Sequence, residues 1–203
     1  MRQKTKIKIC GIFRDEDVAA INEAKPDFIG FIINFPKSHR SITADQARRF
    51  RQMTDPGIRT VGVFVNERPE LAAQLANEGV ISVIQLHGNE DEEYISRLRT
   101  LTGAQIWKSF VIKDSQSVSS AMASSADMVL LDGGLGNGRV FDHSLIQNVK
   151  RDYILAGGLN ESNLADVISL LHPWAVDLSS GCETDKLKDK NKILRVCSLV
   201  GSL

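Results

Sequence analysis

Two side chains that can move protons end two short apolar segments of this chain. Cys10 closes the segment 6–10 and is followed by Gly11, and Asp132 closes the segment 128–132 and is followed by Gly133. A thiolate is a competent base where its surroundings favour ionisation, and a protonated carboxyl is an acid. If folding brings the two ends together, the pair can perform general acid–base catalysis on one small substrate.

Both residues also have an ordinary structural explanation. A lone cysteine commonly packs as a small apolar side chain, and an aspartate before glycine commonly serves a turn. The turn at Gly11 favours a Cys10 thiol at the strand end, and Lys8 shares its strand face by period-two alternation. Asp142 is placed to cap the next helix. This weakens the interpretation that Asp132 serves only as a capping or turn residue.

The elements that must position these residues alternate along the whole chain. Thr43 and Gln46 form a capping-box pair at the start of one predicted helix, and the serine-rich stretch 114–125 is expected to give a weak or irregular fifth helix. We predict strands near 6–10, 27–33, 60–65, 81–86, 105–110, 127–132, 153–157 and 174–178, and helices near 14–24, 43–54, 68–78, 90–101, 143–150, 161–171 and 188–200. Such alternation with short connections is typical of parallel strands joined by right-handed crossovers.

Eight strand–helix units permit a closed barrel or an open doubly wound sheet. No G-x-G-x-x-G motif follows the first strand, as a dinucleotide-binding sheet would require. Polar residues end nearly every strand, which indicates one rim shared by all eight. We therefore predict an α/β fold, a (β/α)8 TIM barrel with a single domain over 1–203, in which chemistry takes place on that rim.

Composition argues against several other classes of protein. The 203 residues carry 25 basic and 25 acidic side chains without a basic stripe, so no nucleic-acid partner is expected. No apolar run reaches the roughly 20 residues of a membrane helix, and no secretory segment precedes the first strand, so no membrane partner is expected. Cys10, Cys182 and Cys197 are an odd set without metal-ligand spacing, which indicates a reducing, cytoplasmic location and no metal site.

Polar residues after the second and fourth strands are candidates for substrate binding. Arg40 lies in a basic loop, and its planar guanidinium matches a carboxylate; a solvated loop cation is the alternative. Gln85 and His87 share one face at the end of strand four, so one of them can face the site.

Glycine and serine residues after the last two strands predict a phosphate site. Gly157 and Gly158 follow strand seven, and Ser180 and Gly181 follow strand eight. Barrels bind phosphate at these two positions through loop amides and a short helix N-terminus. We therefore expect a small phosphorylated substrate.

With these residues in place, the chain resembles the phosphoribosylanthranilate isomerase family of tryptophan biosynthesis. Motifs that occur in the same order on successive strands carry the resemblance: 8–11 (KICG), 35–40 (FPKSHR), 62–66 (GVFVN), 85–88 (QLHG), 130–132 (LLD), 141–142 (FD), 156–159 (AGGL), 177–183 (DLSSGCE) and 188–189 (KD). The resemblance implies an intramolecular aldose–ketose isomerase that performs an Amadori rearrangement of N-(5-phosphoribosyl)anthranilate without a cofactor. We expect a monomer rather than a homodimer.

The resemblance also implies roles for individual residues. Asp132 would protonate the furanose ring oxygen and open the ring to a Schiff base, and Cys10 would then remove the proton next to the imine. As a base, Cys10 would need a lowered pKa. Arg40 would hold the anthranilate carboxylate. Amides of Gly157, Gly158, Ser180 and Gly181 would bind the phosphate.

The chain departs from the family pattern in two loops. His39 stands where the family has a proline, and the run 135–143 ends in His143 where the family has tryptophan. The loop after Asp132 also looks short, so turnover or substrate range is expected to differ.

Three other functions compete with this interpretation. Indole-glycerol-phosphate synthase would show an N-terminal extension and lysine–glutamate machinery, and the histidine-pathway sugar isomerase would have aspartate in place of Cys10. A catalytically silent barrel that only binds a phosphorylated ligand would not need both Cys10 and Asp132.

Overall fold

The computed structural model describes residues 4–133 and 142–203. In these ranges eight parallel barrel strands each pair with the next along the chain, and the eighth pairs with the first, so the sheet is closed. A ninth, two-residue strand, Ser41–Ile42, extends the sheet beside the end of the second. The strands are β1 (Lys6–Cys10), β2 (Phe28–Ile33), β3 (Arg59–Phe64), β4 (Val83–Leu86), β5 (Gln105–Val111), β6 (Met128–Asp132), β7 (Tyr153–Ala156) and β8 (Ala175–Leu178). The predicted (β/α)8 barrel is confirmed.

Helices connect the strands around the outside of the barrel. The described residues form α1 (Asp15–Ala24), α2 (Ala44–Met53), α3 (Pro69–Asn77), α4 (Glu92–Leu101), α5 (Ser115–Ala123), α6 (Leu164–Leu171) and α7 (Lys190–Ser202). The predicted capping box is present, because Thr43 Oγ1 accepts from the Gln46 amide and the Gln46 side chain accepts from the Thr43 amide. None of the helices in these ranges is long and apolar enough to cross a membrane.

Side chains of each strand alternate between two buried environments. On β1, Ile7 and Ile9 belong to the large apolar layer between sheet and helices, while Cys10 belongs to the smaller cluster inside the barrel. The N-terminal end of the interior is filled by the rings of Phe28, Trp107 and Trp174, whose centroids lie 5.1–5.9 Å apart. This aromatic plug fills the N-terminal end of the barrel, and among the described residues the interior opens into a cavity at the C-terminal rim.

The expectation of a weak or irregular fifth helix was wrong. Residues 115–123 form a regular helix whose first turn is capped by Asp114, which accepts from the Ser117 amide at 2.8 Å. Ser119 and Ser120 donate their hydroxyls to the carbonyl oxygens four residues earlier. The helix is regular despite its serines because Asp114 and Ser117 form a complete capping box at its start, which satisfies the amides of the first turn.

The irregular connection is the sixth one, where a helix was predicted over 143–150. The structure has only a short 3₁₀ turn, His143–Leu145, which is capped by Asp142 as expected. The segment has three apolar residues in eight, against six in the equally long α6 (Leu164–Leu171), and so buries too little apolar surface to offset the cost of nucleating a helix. Arg151 fixes the chain instead by donating to the Ser124 carbonyl at 2.8 Å.

An antiparallel hairpin after β8 was missed by the sequence interpretation. Glu183–Thr184 pairs with Leu187–Lys188. The two turn residues, Asp185 and Lys186, have φ of 51° and 63°, a left-handed conformation that favours glycine. The hairpin places Glu183 and Lys188 beside the rim, and α7 starts only after it.

Candidate active site

A cavity of about 320 Å³ opens at the C-terminal rim of the barrel. Eight of the nine residues predicted from the sequence line it: Cys10, Arg40, Gln85, His87, Asp132, Gly157, Gly158 and Ser180. The rest of the lining is mostly apolar and comprises Ile32, Phe35, Ser38, Val63, Val65, Val111, Ala156, Leu159, Asp177 and Ser179. The rim residues of all eight units therefore converge on one site.

Gly181 lies in the short 3₁₀ turn Ser180–Cys182, behind the cavity lining. A Cβ built on Gly181 would come within 2.0 Å of the Leu159 carbonyl oxygen. A glycine here allows the loops after β7 and β8 to pack against each other, which supports the shape of the rim.

Cys10 is buried at the end of β1, and its Sγ faces β2. A Cβ built on Gly30 would lie 2.8 Å from that sulfur, so the glycine makes room for the thiol. Burial raises the pKa of the Cys10 thiol, although the nearby Lys8 acts in the opposite direction. The lowered pKa expected for this base is therefore not found in the structure, because desolvation disfavours the thiolate more than Lys8 stabilises it.

Asp132 ends β6 across the cavity, with 19% of its side chain exposed. A Cβ built on Gly157 would lie 2.9 Å from Asp132 Oδ1. Gly157 has a φ of 93°, so both its conformation and the space beside the carboxyl favour glycine. The carboxyl is thus in contact with the loop after β7.

His87 and Gln85 form a polar pair on the wall at the end of β4. The Gln85 Nε2 lies 3.1 Å from His87 Nδ1, and His87 Nε2 lies 3.9 Å from Asp132 Oδ2. Burial lowers the pKa of His87, although Asp132 acts in the opposite direction, so the imidazole is largely uncharged near neutral pH. If the Gln85 amide donates to Nδ1, the His87 proton is on Nε2 and points towards Asp132.

Arg40 is held by an ion pair that the sequence interpretation did not include. Its Nε and Nη2 donate to the two oxygens of Glu183 at 2.5 and 2.7 Å, and Lys188 Nζ donates to Glu183 Oε1 at 2.7 Å. The Glu183 side chain is only 5% exposed. The stem of Arg40 lies over Gly11, where a Cβ would come within 2.4 Å of its Cδ. Glu183 and Gly11 together fix the guanidinium at the rim.

Lys8 and Asp177 form a second ion pair, inside the barrel below the cavity. Lys8 Nζ donates to Asp177 Oδ2 at 2.8 Å. Within the described part of the chain, Asp177 Oδ1 and Gln85 Oε1 are buried acceptors without a hydrogen-bond partner. The alternation of side chains on β1 was sufficient to predict that Lys8 lies on the same strand face as Cys10. It gave no indication that Asp177 on β8 is the partner of Lys8.

Lys108 and Glu90 form a third buried pair, behind the loop after β4. Lys108 Nζ donates to Glu90 Oε2 at 3.0 Å and to the Gly88 carbonyl at 2.7 Å. Glu90 also accepts from the Gly88 and Asn66 amides. The pair holds the loop that carries His87.

The loop after β7 has backbone geometry suited to an oxyanion. Gly157 and Gly158 both have positive φ, 93° and 68°. The side chains of Asn160 and Asn163 donate to the Gly158 carbonyl at 3.2 and 3.0 Å. Successive backbone groups held in this way can present amides to a bound anion.

Of the two loops that depart from the family pattern, the structure describes the one that carries His39. The His39 ring packs edge-on against Phe13, with centroids 6.0 Å apart, and so contributes to holding its loop. The short loop expected after Asp132, at 134–141, lies outside the described residues. Within 4–133 and 142–203 there is no group of three or more side chains arranged to hold a metal ion.

Comparison with known proteins identifies relatives over nearly the whole chain. The family model described as N-(5'phosphoribosyl)anthranilate (PRA) isomerase matches residues 7–198. A protein of Endomicrobium trichonymphae named N-(5'-phosphoribosyl)anthranilate isomerase is 42% identical over 203 residues, covering 98% of this chain and 99% of its own length. A protein of the same name from Clostridium kluyveri is 38% identical, and the match covers 93% of this chain and 94% of that protein's length.

Solved structures have the same fold. Phosphoribosyl anthranilate isomerase from Thermotoga maritima superposes with a TM-score of 0.87 at 33% identity, covering 98% of this chain and 100% of its own. A phosphoribosyl anthranilate isomerase in complex with reduced 1-(o-carboxyphenylamino)-1-deoxyribulose 5-phosphate gives 0.85 at 32% identity, with the same coverage. A third structure, with equal scores and coverage, is of mutually generated monomers of the dimeric Thermotoga maritima enzyme.

Proposed function

Since this chain belongs to the N-(5'-phosphoribosyl)anthranilate isomerase family, we propose that Cys10 and Asp132 perform the family's reaction as base and acid. The chain is an isomerase, and its reaction is the isomerisation of N-(5'-phosphoribosyl)anthranilate in tryptophan biosynthesis. The observation that carries the residue assignment is the single cavity lined by Cys10, Asp132, Arg40 and the glycine loop. Consumption of freshly prepared phosphoribosylanthranilate by the purified chain is the direct test, and a barrel that only binds its ligand would show none.

In the proposed mechanism two protons move at opposite sides of the sugar. Asp132 gives its proton to the furanose ring oxygen, the C1'–O bond breaks, and a Schiff base forms. The Cys10 thiolate then removes the proton from C2', and the electron pair moves to give the enol-amine. Conversion of the enol to the ketone yields 1-(2-carboxyphenylamino)-1-deoxyribulose 5-phosphate. Asp132 and Cys10 recover their starting states when solvent returns one proton and accepts the other.

The surroundings of Asp132 leave its carboxyl accessible to a substrate, with 19% of the side chain exposed. His87 Nε2 lies 3.9 Å from Asp132 Oδ2, so the imidazole lies beside the carboxyl. Gly157 leaves space beside Oδ1, where the substrate ring oxygen would approach. His87 thus acts by its position, without a proton transfer of its own.

The remaining walls fit the rest of the substrate. Ile32 and Phe35 offer apolar surface for the anthranilate ring, and Arg40 supplies a cation for its carboxylate. The unpaired oxygens of Gln85 and Asp177 would accept hydrogen bonds from ribose hydroxyls, since a buried acceptor is stabilised by gaining a donor.

Arg40→Ala is expected to raise KM more than it lowers kcat. The reason is that a carboxylate far from the reacting carbons is bound equally in substrate and transition state, and uniform binding affects mainly KM. Steady-state kinetics would measure both constants, with Arg48→Ala, which removes an exposed ion pair with Glu78, as the matched control. If Arg40→Ala loses kcat and keeps its KM, Arg40 positions the reacting centre and the assignment to the carboxylate is wrong.

Gly158→Asp is expected to abolish binding of inorganic phosphate. Gly157, Gly158 and Ser180 are proposed to bind the substrate phosphate with backbone amides, and Gly181 to support them. A carboxylate at Gly158 adds like charge and bulk. Calorimetric titration with phosphate would measure the loss.

Two controls separate charge from backbone effects in that experiment. Gly158→Ala tests the strain of a side chain at φ 68°, and Gly103→Asp adds the same charge where a Cβ meets nothing within 4 Å. Wild-type phosphate affinity in Gly158→Asp would show that the anion binds elsewhere.

We further propose a cytoplasmic enzyme without a nucleic-acid partner. Cys10, Cys182 and Cys197 are free thiols, which suits a reducing compartment. The single domain over 1–203 and the preference for a monomer over a homodimer remain predictions, and the related Thermotoga maritima enzyme is dimeric. Light scattering after size exclusion would measure the oligomeric state.

A further inference from the structure

Lys8 is a fully buried lysine in the interior of the barrel. Its exposure is 0%. Its side chain lies on the same face of β1 as that of Cys10, which is two residues further along the strand. Burial lowers the pKa of Lys8, but Asp177 and Cys10 outweigh this effect and the net shift is upward, so the side chain is an ammonium near neutral pH. A fully buried cation requires an explanation, because desolvating a charge is unfavourable.

The neighbouring strand brings the ammonium and the thiol to the same small space. A Cβ built on Gly30 would lie 2.8 Å from Cys10 Sγ and 3.1 Å from Lys8 Nζ. Gly30 pairs with Cys10 in the register of β1 and β2. Any larger residue at position 30 would separate the two groups or displace one of them.

Other charged groups near Cys10 are differently engaged. Arg40 and Lys188 both donate to Glu183, so their charges are shared with a carboxylate outside the barrel. Asp132 and His87 lie close enough to Asp177 to act on it electrostatically. Lys8 is the cation on the strand face of the thiol itself, and its anchor is Asp177.

We propose that Lys8 is a positioning residue whose buried ammonium, anchored by Asp177, is the counter-charge that stabilises the Cys10 thiolate. This inference rests on the proposed role of Cys10 as the base. The thiol loses its proton to solvent, and the anion then lies beside the Lys8 ammonium, which is itself paired with the Asp177 carboxylate. Without Lys8, the thiolate would be desolvated beside a second anion.

The test is the pH dependence of Cys10 alkylation by iodoacetamide, resolved by mass spectrometry of the Cys10 peptide. Only the thiolate displaces iodide, so the rate follows ionisation. Lys8→Met is expected to move the midpoint upward by about 1–3 pH units, the usual effect of an opposite charge at close range. Lys8→Arg keeps a cation on the same strand face and is expected to leave the midpoint close to that of the wild type. A shift in Lys8→Met that Lys8→Arg does not share is a signature that a general loss of packing would not produce.

Lys108→Met is the matched control, because it also deletes a buried cation paired with a carboxylate, Glu90, but away from the thiol. Its Cys10 midpoint should equal that of the wild type. An unchanged or lower midpoint in Lys8→Met overturns the proposal. If Lys8→Met does not fold, Lys8→Gln decides the question in the same assay, and an unchanged or lower midpoint there overturns the proposal.

Alkylation also separates this inference from the proposed function. If the midpoints shift as expected but Cys10→Ala keeps its turnover, Lys8 stabilises a thiolate that is not the base, and the mechanism fails. If Cys10→Ala loses turnover but the midpoints do not shift, the mechanism stands and the role of Lys8 is wrong.

Discussion

Cys10→Ala is expected to lower kcat by about 10²–10⁴-fold, the usual contribution of a positioned general base. Alanine retains the small volume at the end of β1 but removes the group that takes the C2' proton. Steady-state turnover of phosphoribosylanthranilate would measure the loss, and circular dichroism would check that the barrel is folded. Cys10→Ser should be nearly as poor, because a hydroxyl is a much weaker base near neutral pH.

The pH profile gives an independent check on the same residue. Because burial raises the pKa of Cys10, the thiolate fraction grows as pH increases towards that pKa, and kcat/KM should rise on the alkaline side of neutrality. The rising limb should vanish in Cys10→Ala and persist in the control Cys197→Ser, which changes a partly buried thiol of α7. Near-wild-type turnover in Cys10→Ala would exclude Cys10 as the base.

Asp132→Asn is expected to lower kcat by about 10²–10⁴-fold, as for other positioned acids, with little change in KM. The amide has nearly the same shape as the carboxyl but no proton to give to the ring oxygen. Because that proton is needed only as the ring opens, the loss falls on the transition state and spares substrate binding.

Asp142→Asn is the matched control for this substitution. Asp142 caps the 3₁₀ turn after β6, and asparagine caps about equally well, so its kinetics should be those of the wild type. An Asp132→Asn enzyme that keeps its kcat, or that changes mainly in KM, would show that another group protonates the ring.

The barrel was predictable because its signals are local. Strand segments with polar ends recur along the chain, and the C-terminal ends of parallel strands must share a rim. On that ground alone, Cys10 and Asp132 could be predicted to lie at the same site. For the same reason one of Gln85 and His87 was expected to face the site, and in the structure both line the cavity.

Features that depend on contacts between residues far apart in the chain could not be predicted from local sequence patterns. Arg40 and Glu183 are 143 positions apart, and a hairpin with an unusual turn brings them together. The raised pKa of Cys10 depends on how fully the neighbouring strand covers the thiol. The fifth helix was misjudged for a local reason, because the capping box of Asp114 and Ser117 that starts it was overlooked.

The aromatic plug at the closed end of the barrel determines what fluorescence can report. The chain has two tryptophans, Trp107 and Trp174, and both belong to the plug, where their rings lie 5.9 Å apart. Intrinsic emission therefore arises at the end of the barrel opposite the catalytic rim. It should follow unfolding closely while remaining nearly insensitive to events at the rim, so a substrate titration would need a different optical probe.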